Sequence, residues 1–399
     1  MTDTRLPRTT PTTARTRTRA GAGLLLAGAL LTGCGAQPGD IPLSEIRAES
    51  PSPTPTPTPA AEAAASPGVI GAAVAATPTA PPARNGLIAS RVTPSTERDT
   101  GAILSTGPDG TGEHPLTQPP NGARDDNPSW SPDGATLAFD RTGTDAARVW
   151  LTTATGEESH QVGPLCSVGA PDCVNEAESH PAFSPDGRRL AFNRTWGAGD
   201  PETGQVQYSD LYLMSPDGTD VQRLTFLTND KPYSGEVTSP SWSPDGKQLV
   251  FEYRTSATGQ PADGRALFSV AADGTGLHQL TPWELRAGGR AGWSPDGGRI
   301  VFTTFPAGPD LTPGGGIYTM HADGSAIEAL TPGPSDLSYG PASYSPDGRS
   351  IVFTQAAGTG TSSDLYVMQP DGGSPTRLTD TPERSESRPS WGTAAAPQG

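Results

Sequence analysis

Between residues 86 and 392, apolar runs of three or four residues alternate with clusters of Gly, Pro, Asp and Ser. Runs that short, rich in β-branched and aromatic residues and bounded by turn formers, predict strands. They return in one fixed order. An aromatic residue (Trp130, Phe183, Trp242, Trp293, Tyr344) precedes Ser-Pro-Asp-Gly, which starts at Ser131, Ser184, Ser243, Ser294 and Ser345. An apolar run then ends in Phe139, Phe192, Phe251, Phe302 or Phe353. The copies lie 53, 59, 51 and 51 residues apart, a period that marks a repeat architecture.

Ser-Pro-Asp-Gly suits a type I turn closed by a left-handed Gly, a common hairpin connection. The aromatic residue should therefore end one strand and the apolar run form the next. A second strand pair follows in each block. It starts at Val149-Trp150-Leu151, Leu211-Tyr212, Leu267-Phe268, Ile317-Tyr318 and Leu365-Tyr366. In four blocks an Asp-Gly turn and a closing Leu-Thr come next (Leu224-Thr225, Leu280-Thr281, Leu330-Thr331, Leu378-Thr379). Four strands per repeat describe an antiparallel propeller blade.

A sixth blade is split between the ends of the repeat region. Gly86 to Arg91, Ala102 to Leu104 and Leu116-Thr117 supply three strands, and Arg388-Pro389-Ser390-Trp391 supplies the missing first one. Closure of this Velcro type hides the sheet edges. The reading is an all-β, six-bladed β-propeller, with seven blades the alternative.

The pattern Pro-x-Trp-Ser-Pro-Asp-Gly, then Leu-Ala-Phe, Leu-Tyr-Val-Met, Asp-Gly and Leu-Thr resembles the propeller repeats of the TolB family across roughly 86–392. The resemblance implies a six-bladed propeller that binds other proteins outside the cytoplasm. Nothing in the sequence resembles the N-terminal α/β domain that accompanies the propeller in TolB itself, which argues against a literal role in the Tol system.

The N-terminal segment changes the expected compartment. Arg5, Arg8, Arg15, Arg17 and Arg19 precede an apolar run from Gly21 to Leu31, too short for a permanent span and shaped like an export signal. It ends in Leu31-Thr32-Gly33-Cys34, which resembles a bacterial lipobox, so the resemblance implies cleavage before Cys34 and its lipidation. The organisation read from this is a signal peptide over 1–33, a Pro/Thr/Ala-rich tether over 34–85, the propeller over 86–392 and a tail over 393–399. A Pro-rich tether of that length reaches on the order of 100 Å. The expected location is extracytoplasmic, held at the cell membrane by lipid. There Cys166 and Cys173, with six residues between them, read as a local disulfide.

Formal net charge is −16, and about −20 once residues 1–33 are removed with their five Arg and one Asp. Such acidity argues against nucleic acid and anionic lipid surfaces as partners. The five histidines fall in different blocks without metal-ligand spacing, and no Gly-x-Ser-x-Gly elbow occurs. No metal, cofactor or catalytic residue is expected from this, and the chain is read as a monomer that is not an enzyme.

Candidate binding residues precede the inner strands, which gather at one mouth of the central channel. They are Asp125, Asp126, Glu178, His180, Glu236, Arg290, Tyr339, Glu386 and Arg388. The expected function is a protein-binding or scaffolding module of the cell envelope, its partner an envelope protein or a cell-wall component. The alternative is a glycan hydrolase or lyase that uses the acidic residues of this funnel.

Overall fold

The structure, a computed structural model, describes residues 83–394 apart from 96–99, 144–145, 164–175, 197–207, 228–234, 256–263, 306–314, 332–335 and 358–361. Cys34, Cys166 and Cys173, with the leader and all but the last three residues of the tether, lie outside the described residues. Six four-stranded antiparallel sheets stand around one axis. Their inner strands are Arg124–Trp130, Ala177–Phe183, Gly235–Trp242, Ala287–Trp293, Leu337–Tyr344 and Arg384–Thr393, and define blades one to six. Each inner strand touches the next, and the sixth touches the first.

Every Ser-Pro-Asp-Gly forms the expected turn through the same bonds. In blade three the Ser243 hydroxyl donates to Asp245 Oδ1 at 2.7 Å and accepts the Gln248 N–H at 3.0 Å. The Lys247 N–H donates to the same carboxylate at 3.1 Å, and Gly246 sits at φ 70°. The hydroxyl and N–H donors hold the Asp245 carboxyl below the usual range. The motif Asp residues are turn formers, each holding its own loop.

After the turn, the Phe of the second strand meets an aromatic ring directly across on the third. Phe139 pairs with Trp150, Phe192 with Tyr212, Phe251 with Phe268, Phe302 with Tyr318 and Phe353 with Tyr366. Ring centroids lie 5.7 to 6.5 Å apart, within the range of favourable aromatic contact. The core is a set of wedges between neighbouring blades. One wedge joins Leu211 and Leu213 of blade two to Val237, Trp242 and Phe251 of blade three. Indoles add ties: Trp242 Nε1 donates to the Ala182 carbonyl and Trp293 Nε1 to that of Ser241, each at 3.2 Å.

The fourth strands differ from the sequence expectation. They run only two or three residues, as in Gln222–Arg223 and His278–Gln279, and stop before Leu-Thr. The Leu-Thr pair instead bulges against the third strand. Leu224 and Thr225 N–H both reach the Leu211 carbonyl, at 2.8 and 3.4 Å, while the Thr225 hydroxyl accepts the Leu211 N–H at 3.0 Å. The hydroxyl replaces a ladder partner, which explains why Thr closes four of the blocks.

Closure follows the split sixth blade. Arg384–Thr393 pairs antiparallel with Asn85–Pro94, with Ile88 opposite Trp391 and Ala89 opposite Ser390. Gly392 replaces the motif Ser there, and a Cβ at that position would stand 2.7 Å from the Trp130 ring. A side chain would push blade one off the seam.

Candidate functional site

Each inner strand carries a bulge near its middle. At five of the six, the bulge residue has φ between 52° and 72°: Asn127, His180, Ser239, Gly289 and Arg388. Proline follows in every blade except the fourth: Pro128, Pro181, Pro240, Pro341 and Pro389, against Arg290. A residue before Pro is disfavoured in the right-handed helical region, and a bulge re-aims its side chain. The bulge thereby turns Asn127, His180 and Arg388 towards a shared polar cluster.

That cluster links three blades. Asp126 Oδ2 accepts from Arg388 and, at 2.9 Å, from Arg91 Nη1, so one carboxylate holds both strands of the split blade against blade one. Asp140 Oδ2 accepts the Asn127 amide at 2.7 Å and the His180 N–H at 2.8 Å. His180 Nδ1 meets Asn193 Oδ1 at 3.0 Å. Burial pulls Asp126 upward, but the guanidiniums of Arg388 and Arg91 together outweigh it and hold the carboxyl below its usual range. Burial, then the nearby Asp126 charge, push Asp140 up to about 6. Burial, then Arg388, hold His180 down to about 3, so its ring is neutral at physiological pH.

These shifts oppose each other in acid. Asp140 binds its proton more tightly folded than unfolded, so its contribution is full below about pH 4 and is lost as pH rises through about 6. His180 contributes stability above about pH 6.5 that is lost as pH falls towards about 3. Asp140→Asn removes the first effect alone and introduces the residue that Asn193 already supplies one blade on. The variant should gain stability relative to the parent as pH rises from 4 to 7, read as the difference in melting temperature. A constant difference across that window would refute the assignment.

Most of the remaining predicted residues separate into pairs within single blades, and Glu386 reaches the neighbouring blade five. Asp125, fully buried, takes two bonds from Arg141 at 2.6 and 2.8 Å, and that guanidinium lies 4.5 Å above the Trp150 ring. Glu178 holds Arg194 at 2.6 Å, stacked on Tyr212 at 4.6 Å. Glu236 meets Arg254 at 3.1 Å, and Tyr339 packs on Phe353 at 6.2 Å between centroids. Glu386 accepts the Leu365 N–H at 3.1 Å and the Thr379 hydroxyl, and burial raises its pKa. The carboxylates named for glycan chemistry are thus held by arginines or, for Glu386, by hydrogen bonds from the neighbouring blade. Among the described residues no group of three or more His, Cys, Asp or Glu is arranged to hold a metal ion.

Sequence reading passed over the residue after each second-strand Phe. Asp140, Asn193, Glu252, Thr303 and Thr354 occupy it, polar and buried in every full blade. Glu252 accepts the Gly289 N–H at 2.5 Å, tying blade three to blade four as Asp140 ties blade one to blade two. The signal was present as an invariant switch from three apolar residues to one polar residue.

Arg290 crosses the channel. From blade four it donates Nη1 to the Pro128 carbonyl of blade one, directly opposite, and Nη2 to the Pro181 carbonyl of blade two at 3.3 Å. Burial lowers its pKa to about 10, still well above neutrality, and Asp140 acts on it without an ion-pair contact. Arg290 spans the channel and lines a chamber of about 240 Å³ at the Ser-Pro-Asp-Gly end. Ser129, Ser241, Ser343 and Ser390, with Trp130, Phe183, Trp242 and Trp293, wall that chamber.

The chain is similar to proteins that carry this repeat. One is a curated Bacillus subtilis protein described as the uncharacterized peptidase YuxL, 28% identical over 164 residues. That match covers 34% of this chain and only 22% of YuxL. The expectation that the chain is not an enzyme is corrected by this match: a similar stretch of 164 residues occurs in a protein described as a peptidase, and a fold does not decide chemistry. Among solved structures, TolB from Acinetobacter baumannii matches with a TM-score of 0.54 at 19% identity, over 77% of this chain and 66% of that one. The putative TolB from Agrobacterium tumefaciens matches with a TM-score of 0.50 at 20% identity, over 76% and 98%. The profile of the TolB beta propeller domain matches residues 172–395, more than half of the chain. With six blades, the Ser-Pro-Asp-Gly turns and that match together, the chain belongs to the TolB β-propeller domain family.

Proposed function

We propose that this chain is a lipid-anchored, extracytoplasmic propeller that binds a segment of an envelope protein in the chamber at its Ser-Pro-Asp-Gly end. The observation that carries the reading is the chamber itself: aromatic walls, serine hydroxyls and a guanidinium floor in one concavity. Aromatic side chains set beside convergent polar groups are what binding pockets offer. The basic, apolar and Leu-Thr-Gly-Cys order of the first 34 residues supports the anchor, and the Pro-rich segment supports a reach away from the membrane.

Photo-crosslinking in intact cells tests this. A photoreactive residue at Ser343 should give an adduct with one protein, and the same residue at Asp273, on an exposed outer turn, should not. Equal adducts from both positions, or none from Ser343, would remove the reading. Cys34→Ala should in parallel release the chain from membranes, and unchanged membrane association would contradict the anchor.

A further inference from the structure

Arg290 differs from the other arginines of the channel. Arg91 and Arg388 share Asp126, Arg141 holds Asp125, Arg194 holds Glu178, and Arg254 holds Glu252. Among the described residues Arg290 meets only neutral carbonyls. A partly buried charge with no carboxylate in contact is costly, and proteins keep few such groups without a use. The guanidinium carries five N–H donors, and the two carbonyl bonds leave the others for a ligand.

The surroundings are built for this side chain. Arg290 stands at the position that five blades give to Pro, in the run Ala287-Gly288-Gly289-Arg290-Ala291-Gly292. A Cβ at Gly288 would stand 2.7 Å from the Glu252 carboxyl, so the small residue lets the strand lie close to its neighbour. Among the described residues Arg290 is the one charged residue in the lining of the chamber. Serine and aromatic side chains complete a lining that suits a planar anion with an apolar body.

We propose that Arg290 anchors a carboxylate in this chamber, presented by the segment that the propeller binds. The inference rests on the chamber being the binding site and adds the chemical group at its floor. A guanidinium fork matches a carboxylate better than an ammonium does, because two parallel N–H···O bonds form at once. The two proline carbonyls hold the fork across the channel, so its geometry is set before a ligand arrives.

Benzoate is the probe, with benzamide as its neutral counterpart and sodium chloride at matched ionic strength as the control for screening. Benzoate should raise the melting temperature of the full chain in a concentration-dependent way, and benzamide should not. Arg290→Gln should abolish the benzoate shift, and Arg290→Lys should weaken binding about tenfold. Equal shifts with benzoate and benzamide, no shift with benzoate, or a full shift in Arg290→Gln would each overturn the proposal. The benzoate and benzamide comparison uses the parent chain, so it decides the matter even if a variant misfolds. Crosslinking at Ser343 is independent of it. A partner caught there without a benzoate effect would sink the carboxylate and leave the binding module standing, while the reverse result would keep the carboxylate site and remove the protein partner.

Discussion

A chain ending at Glu383 is expected to lose cooperative folding and to aggregate. The cut removes the strand Arg384–Thr393, and with it the ladder that sets Ile88 opposite Trp391 and Val92 opposite Glu386. It also takes Arg388 from Asp126 and leaves the inner edge of Asn85–Pro94 open. An unpaired edge strand is a template for intermolecular pairing. The neighbouring wedge loses Trp391 from its packing against Ile88, Val352 and Leu365. Light scattering and thermal unfolding would show large species without a sharp transition. A monodisperse chain melting at the parent temperature would mean that the ring does not depend on its seam.

Asp126→Ala should cost about 3–5 kcal/mol, the range for removing one partner of a buried ion pair. The loss is large because Asp126 answers two guanidiniums, from Arg91 on one strand of the split blade and Arg388 on the other. Its removal leaves both cations facing each other beside blade one. Asp126→Asn should fall between, since an amide oxygen still accepts but carries no charge. Asp245→Ala is the contrast: an exposed turn carboxylate whose hydrogen bonds contribute about 1 kcal/mol. Urea unfolding of the three variants gives the order directly, and equal losses for Asp126→Ala and Asp245→Ala would dissolve the clasp.

The fold was legible because one turn chemistry repeats. Ser-Pro-Asp-Gly places its strands by local rules, and the Phe after it meets an aromatic ring in each of the five full blades. The split sixth blade was readable from Pro-Ser-Trp at one end and the strand runs from Gly86 to Thr117 at the other. The site was less so, for a physical reason. Position along an inner strand says that a side chain nears the channel, but not which neighbour neutralises it. Asp125 and Glu178 therefore looked like free carboxylates until Arg141 and Arg194 were placed across from them. Glu236 is one residue out of step with both, opposite Arg254 and half exposed.

The motif also holds more than turn chemistry. Its aromatic and Ser-Pro residues wall the chamber, a second use that no local rule announces. Arg290 could be found by aligning the blades, as the exception among five prolines, but its reach to Pro128 and Pro181 needed the ring.

The most direct measurement is an experimental structure of the full chain with benzoate. The account predicts a carboxylate within hydrogen-bond reach of the Arg290 guanidinium, inside the chamber, with the contacts to the Pro128 and Pro181 carbonyls kept. Benzoate bound beside Arg388 on the opposite side of Arg290, with the chamber empty, would contradict it.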